Sequence, residues 1–193
     1  MLRGLYDWTM NLAGHKRAGS ALFAVSFAES SFFPIPPDVM IIPMVLADRT
    51  RAWRIAMICT IASVLGAILG YAIGALLYDS IGKPMMDFYG YGAKFETFTA
   101  HYKEWGAWIV AGAALTPFPF KVITIASGVA SLDPLTFIVS AVLARGARFY
   151  AVAALLWRFG EPIRAFIERN LSLLSIAFFA LLLGGFVLIK YAF

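Results

Sequence analysis

The sequence predicts an all-α polytopic membrane protein: an inverted repeat of a re-entrant helix hairpin plus a transmembrane helix, with interfacial amphipathic helices and a C-terminal transmembrane helix. Three observations predict it. The 193 residues are 61% hydrophobic and only 14% charged, where a soluble domain carries about a quarter. Two runs, 55–78 and 134–157, are each 24 residues long and predominantly apolar, enough to cross a hydrocarbon core of about 30 Å. A proline-rich break also occurs twice, as "FPIPPDVMIIP" at 33–43 and "TPFPFKVITIA" at 116–126. Superposing them sets Pro34 on Pro117, Pro36 on Pro119, Val39 on Val122 and Ile42 on Ile125, with Asp38 opposite Lys121.

In chain order, residues 1–17 read as an amphipathic N-terminal segment with Arg3, Lys16 and Arg17. "SFA" at 26–28 imitates a signal-peptide cleavage site. The apolar run continues to Phe33 and into the break, so the segment is expected to be retained. Residues 18–33 carry Glu29 and reach only about 24 Å as a helix. Pro34, Pro36 and Pro37 stop that helix, and "DVMIIPMVLA" after them reaches about 15 Å. Neither piece spans, so 18–47 is expected to enter the bilayer and return to the same side. The 55–78 run carries no charge, and Gly66, Gly70 and Gly74 share one face. Such a ridge admits a closely packed helix, from this chain or from a second copy in a homodimer. These parts make a first repeat, 18–83.

In 84–105, Phe88, Tyr91, Phe95, Phe98, Tyr102 and Trp105 recur at three and four, opposite Asp87, Lys94, Glu96, Lys103 and Glu104. That pattern fits a helix lying in the headgroup layer, or a lid over the bundle. The second repeat, 106–162, holds a hairpin at 106–130, broken at Pro117 and Pro119, and the 134–157 helix. The breaks lie 83 residues apart and the helix ends at Pro84 and Pro162 lie 78 apart, so the first connector is five residues longer. Residues 171–192 read as a last crossing.

Lysine and arginine set the orientation. Segments 1–17, 48–54 and 158–170 hold three each, while 79–105 holds three beside four acids. The positive-inside rule puts the first three segments, and with them the N-terminus, in the cytoplasm. One hairpin then enters from each side, a construction of secondary transporters, and the two tips approach near the midplane.

Five ionisable residues are left at membrane depth: Glu29, Asp38, Lys121, Arg145 and Arg148. Each costs about 2.5–3.5 kcal/mol facing lipid on insertion scales, so they face inward. Arg145 and Arg148, three apart, share a helix face. The five can simply pair off, Glu29 with an arginine and Asp38 with Lys121. The surplus of positive charge, and guanidinium forks suited to phosphate, point instead to an anion site. Lys121, Arg145 and Arg148 are its candidate ligands, and Glu29 and Asp38 its candidate proton carriers. The net charge of +5 is assigned to loops and anionic lipid, not nucleic acid. Cys59 reads as packing, and His15 and His101 stand too far apart to form a metal site. No nucleophile–base pair appears, so neither an enzyme nor a cofactor is expected.

On these residues the chain resembles the DedA family, also described as the VTT or SNARE-associated Golgi protein family, and within it the short bacterial branch often called YqaA. The resemblance covers roughly residues 18 to 160. It rests on "ESSFFPIPPD" (29–38), "TPFPFKVITIASG" (116–128) and "ARGARF" (144–149). It implies paired re-entrant loops, with Glu29 and Asp38 at the acidic positions and Lys121, Arg145 and Arg148 at basic ones. Where many members carry an arginine before the second break, this chain has Leu115 and Thr116. The implied setting is the bacterial inner membrane. The implied activity is a flippase or scramblase for an anionic lipid phosphate, phospholipid or polyprenyl phosphate, coupled in some members to proton motive force. A proton-coupled ion antiporter would share the inverted repeat and the buried acids. A non-transporting assembly or scaffold protein would need only the glycine ridge and the amphipathic helices.

Overall fold

The computed structural model describes residues 18–32, 36–78, 80, 92–115, 119–160 and 162. The expected segments 1–17 and 171–192, the start of 84–105, and the prolines Pro34 and Pro117 lie outside the described residues. Among the described residues the chain is helical, without strands. Helix α1 (Ala18–Ser31) leads through the first break to α2 (Asp38–Ala47), a 3-10 turn (Arg49–Arg51) and α3 (Ala52–Leu77). Helix α4 (Gly92–Leu115) leads through the second break to α5 (Phe120–Val129) and α6 (Pro134–Gly160). Arg49–Leu77 and Pro134–Gly160 are long and apolar enough to cross a membrane.

Proline sets the entry to both short helices. Pro37 precedes α2 with φ −66°, and its carbonyl accepts from the amides of Met40 and Ile41, both at 2.9 Å. Pro119 precedes α5 in an extended conformation, φ −61° and ψ 104°. At these positions the ring's fixed φ is compatible with a helix start and its missing N–H deprives no helical carbonyl.

Helix α6 opens on a capped turn. Asp133 Oδ2 accepts from the Thr136 amide and hydroxyl, both at 2.8 Å, and Pro134 fills the first helical position. The Thr136 amide, then its hydroxyl, holds the Asp133 carboxyl below its ordinary value. The cap therefore acts in full above the ordinary carboxylate range and is lost as pH falls through the lowered value. Asp133→Ala is expected to lower the thermal midpoint in detergent at neutral pH, with the difference shrinking in acid. An equal deficit at both pH values would contradict this account.

The helix boundaries differ from the expected ones, most of all in α4. Helix α4 runs unbroken from Gly92 to Leu115, so 84–105 and 106–115 do not divide into an interfacial helix and a separate hairpin arm. A single glycine in a helix costs only about 1 kcal/mol relative to alanine, and no proline stands between Gly92 and Leu115. Gly106 instead makes room for the Leu132 side chain. The two long helices also extend beyond their expected 55–78 and 134–157, beginning at Ala52 and ending at Gly160.

Helices α3 and α6 run antiparallel. Tyr71 meets Phe137, Ser63 meets Arg145, Thr60 meets Gly146, and Arg49 meets Gly160. Helix α1 lies along α3 in the same sense: the Ser26 hydroxyl donates to the Cys59 carbonyl at 3.0 Å, and the Ser30 and Ser63 hydroxyls bond at 2.6 Å. Gly66 sits against the Phe27 carbonyl of α1, and Gly74 against the Ile125 carbonyl of α5. The glycine ridge is thus occupied within the chain and is not the face that a homodimer would use.

Two apolar clusters result. One gathers α1, α2, the start of α3 and the end of α6, around Leu22, Ile41, Val45, Cys59 and Phe149. The other gathers α4, α5 and the start of α6, around Val110, Phe120, Leu132 and Phe137, with Ala67 of α3. On α6 the boundary between them falls between Ala144 and Phe149; on α3 it falls between Cys59 and Ala67. Arg145, Arg148 and Ser63 stand in those gaps.

Candidate functional site

At this boundary, midway along α3 and α6, the end of α1 meets the start of α5. Glu29, near the end of α1, is delivered there by the serines that fasten α1 to α3. Arg145 Nη2 pairs with Glu29 Oε2, and the side chains are only 3% and 12% exposed respectively. The same Nη2 lies 3.3 Å from Ser30 Oγ, and Arg145 Nε donates to Ser63 Oγ at 2.5 Å. The Ser30 hydroxyl is also 3.1 Å from Glu29 Oε2. The rings of Phe120 and Phe149 lie 4.8 and 4.7 Å from the Arg145 Cζ, close enough for cation–π attraction. Phe120 begins α5 and Phe149 belongs to the first cluster, so one guanidinium ties both halves together.

A second pair is more open. Arg148 Nη2 lies 2.7 Å from Asp38 Oδ2, with side chains 20% and 24% exposed. Asp38 occupies the first turn of α2, where the helix dipole favours a carboxylate. The third feature is Lys121, in the first turn of α5, whose Nζ reaches the Phe32 carbonyl at 3.5 Å. One turn on, the Thr124 hydroxyl lies 3.0 Å from the Ser30 carbonyl and 2.9 Å from the Lys121 carbonyl. The end of α1 and the start of α5 are therefore in direct contact.

All five ionisable residues singled out in the sequence come to this region; Glu29 pairs with an arginine as expected, but the partners of Asp38 and Lys121 differ. Asp38 pairs with Arg148, not with Lys121. The packing of α6 against α1 and α2 explains this. It sends one guanidinium to α1 and the other to α2, so each carboxylate already has a fork, and Lys121 turns to the carbonyl end of α1, where a cation is favoured. Sequence reasoning overlooked Ser30, Ser63, Thr124 and the two phenylalanine rings. The signal was present for the hydroxyls: serine and threonine inside apolar helices bond across helix interfaces. The rings are indistinguishable in sequence from other core phenylalanines.

Chemically, the cluster is two carboxylate–guanidinium pairs of unequal exposure and one ammonium. Such ion pairs can exchange partners without making or breaking covalent bonds. No family model matches the chain, and no solved structure matches it. An uncharacterized protein of Haemophilus influenzae is 35% identical over 186 residues, covering 96% of each chain. An uncharacterized protein of Histophilus somni is 35% identical over 171 residues, covering 89% of each. An uncharacterized protein of Methanocaldococcus jannaschii is 30% identical over 103 residues, 53% of this chain and 61% of that one. The chain therefore belongs to the family represented by the Haemophilus influenzae and Histophilus somni proteins.

Proposed function

We propose that the protein is a DedA-type transporter of the bacterial inner membrane that moves an anionic lipid phosphate between leaflets, coupled to protons. The observation that carries this reading is the cluster itself: two acid–arginine pairs and Lys121, gathered where two proline-broken hairpins touch midway along the long helices. Broken backbone at membrane depth is tolerated where it lines a protein-enclosed or wet site, and ionisable groups there mark transport paths.

Membrane placement draws support from the exposed faces. Trp53, Met57, Ile61, Leu65 and Leu69 recur every four residues along α3, and Leu135, Val139 and Leu143 along α6; all are exposed. A soluble protein rarely leaves such continuous apolar faces bare. The recurrence of helix, break, ten-residue helix and long helix supports the inverted repeat. The contact of Arg49 with Gly160 brings segments 48–54 and 158–160 to one end, as a shared cytoplasmic side requires.

In this reading the phosphate first meets Arg148 and Lys121, the less enclosed cations. It competes with Asp38 for the Arg148 fork, and the displaced carboxylate takes up a proton. Arg145 joins when Glu29 is protonated in turn, and release reverses the order. In liposomes, Lys121→Ala and Arg148→Ala are each expected to slow translocation of a headgroup-labelled anionic phospholipid at least about tenfold, since a charge-assisted hydrogen bond contributes about 1.5–3 kcal/mol. Both variants should remain monodisperse. Unchanged flipping by both would remove the proposal. A soluble-ion antiporter is the second reading, favoured by the pairing of each carboxylate with a guanidinium. Gradient-driven proton flux in vesicles of zwitterionic lipid, with no headgroup movement, would select it.

A further inference from the structure

The end of the helix pair where α3 begins and α6 finishes carries an aromatic and cationic collar that the charge cluster does not use. Trp53 stacks on Tyr150 with ring centroids 6.1 Å apart, and Trp157 lies 6.2 Å from Trp53. Trp53, Tyr150 and Trp157 are 45%, 38% and 48% exposed, so they are not core residues. The Arg49 guanidinium crosses from the turn before α3 to lie on Gly160, where an added Cβ would meet its Cζ at 2.9 Å. Arg51 is matched by Asp48 at 2.8 Å. Arg54 and Arg158 are exposed, and among the described residues no carboxylate pairs with either. The opposite end differs: Leu76, Leu77 and Leu135 are exposed, and neither 72–78 nor 131–136 contains lysine or arginine.

Indole and phenol rings, apolar with one polar edge, settle at the level of lipid headgroups. Guanidinium groups fork onto phosphate oxygens. At this end both occur on neighbouring turns of two helices, with cations in excess of acids among the described residues. We infer that the collar binds the phosphate headgroup of an anionic glycerophospholipid in the leaflet at that end, a site separate from the transported substrate. This rests on the membrane placement proposed above and not on transport.

The test uses the full chain with Trp8, Trp105 and Trp108 replaced by phenylalanine, leaving Trp53 and Trp157 as reporters. It is reconstituted in vesicles of phosphatidylcholine and phosphatidylglycerol with one or the other lipid brominated, and indole quenching reports relative occupancy. Phosphatidylglycerol is expected to be preferred at least about five-fold, the effect of a single arginine near an anionic surface. Arg54→Gln with Arg158→Gln should bring the preference to parity while brominated phosphatidylcholine still quenches. Equal quenching by both lipids in the parent chain, or a preference that survives the arginine replacements, would overturn the inference. Quenching by neither lipid would instead overturn the membrane placement. Lipid retention by the unaltered chain in native mass spectrometry gives the same comparison should the tryptophan replacements impair folding.

Discussion

Arg145→Ala is expected to destabilise the protein by about 3–5 kcal/mol, the range for removing one partner of a buried ion pair. The guanidinium is almost wholly enclosed, and its loss leaves the Glu29 carboxylate, itself only 12% exposed, without its cation and with the Ser30 hydroxyl at 3.1 Å. The Ser63 hydroxyl loses the donor at 2.5 Å as well. Much of the effect is the penalty of an unpaired buried charge, so it should be recoverable. Combining Glu29→Gln with Arg145→Met removes both charges at similar volume, and replacing a buried pair in this way is often neutral. A double-mutant cycle by chemical unfolding in detergent measures the coupling directly. Arg148→Ala is expected to have a smaller effect, because its pair with Asp38 is open enough for water to solvate the acid. If Arg145→Ala cost no more than an exposed pair, about 1 kcal/mol or less, the enclosed character of the cluster would be wrong.

The contrast between the two arginines shows what the sequence could convey. Their placement in an apolar run, three apart, already demanded an inward face and polar company. The prolines at 36, 37 and 119 marked where the short helices begin, because ring geometry acts locally and needs no tertiary partner. What the sequence could not carry was the choice of partner. Asp38 and Lys121 match in the repeat, and matching positions suggested a pair. The pairing is decided by how α6 lies between α1 and α2, and that follows from packing spread over many residues. Ser63 was legible as a hydroxyl inside an apolar helix, but which groups it would join is fixed only once Ser30 and Arg145 are set beside it. The boundary expected at Gly106 is absent for a local reason: the change from an aromatic stripe to an apolar run looks like a boundary, while nothing there stops a helix.

Gly66→Ala is expected to destabilise the protein even though alanine is the better helix former. The intrinsic preference favours alanine over glycine by about 1 kcal/mol in a helix interior. At Gly66 the added Cβ would fall on the carbonyl of Phe27, and at Gly74 on the carbonyl of Ile125. Both obstacles are backbone atoms in helices, so relief requires moving α1 or α5 as a body. Such overpacking costs typically about 1–3 kcal/mol, occasionally more, which outweighs the propensity gain. Gly112 supplies the control, because a Cβ there meets nothing within 4 Å. Gly112→Ala should therefore be neutral or stabilising, while Gly66→Ala lowers the thermal or denaturant midpoint. The effect also reaches the charge cluster: the Ser30–Ser63 contact at 2.6 Å depends on the same close approach of α1 to α3, so under the proposed transport function the Gly66 variant should lose phospholipid movement along with stability. Were both alanine variants to shift stability alike, α1 and α3 would not be in backbone contact, and Glu29 would have no rigid support from which to hold Arg145.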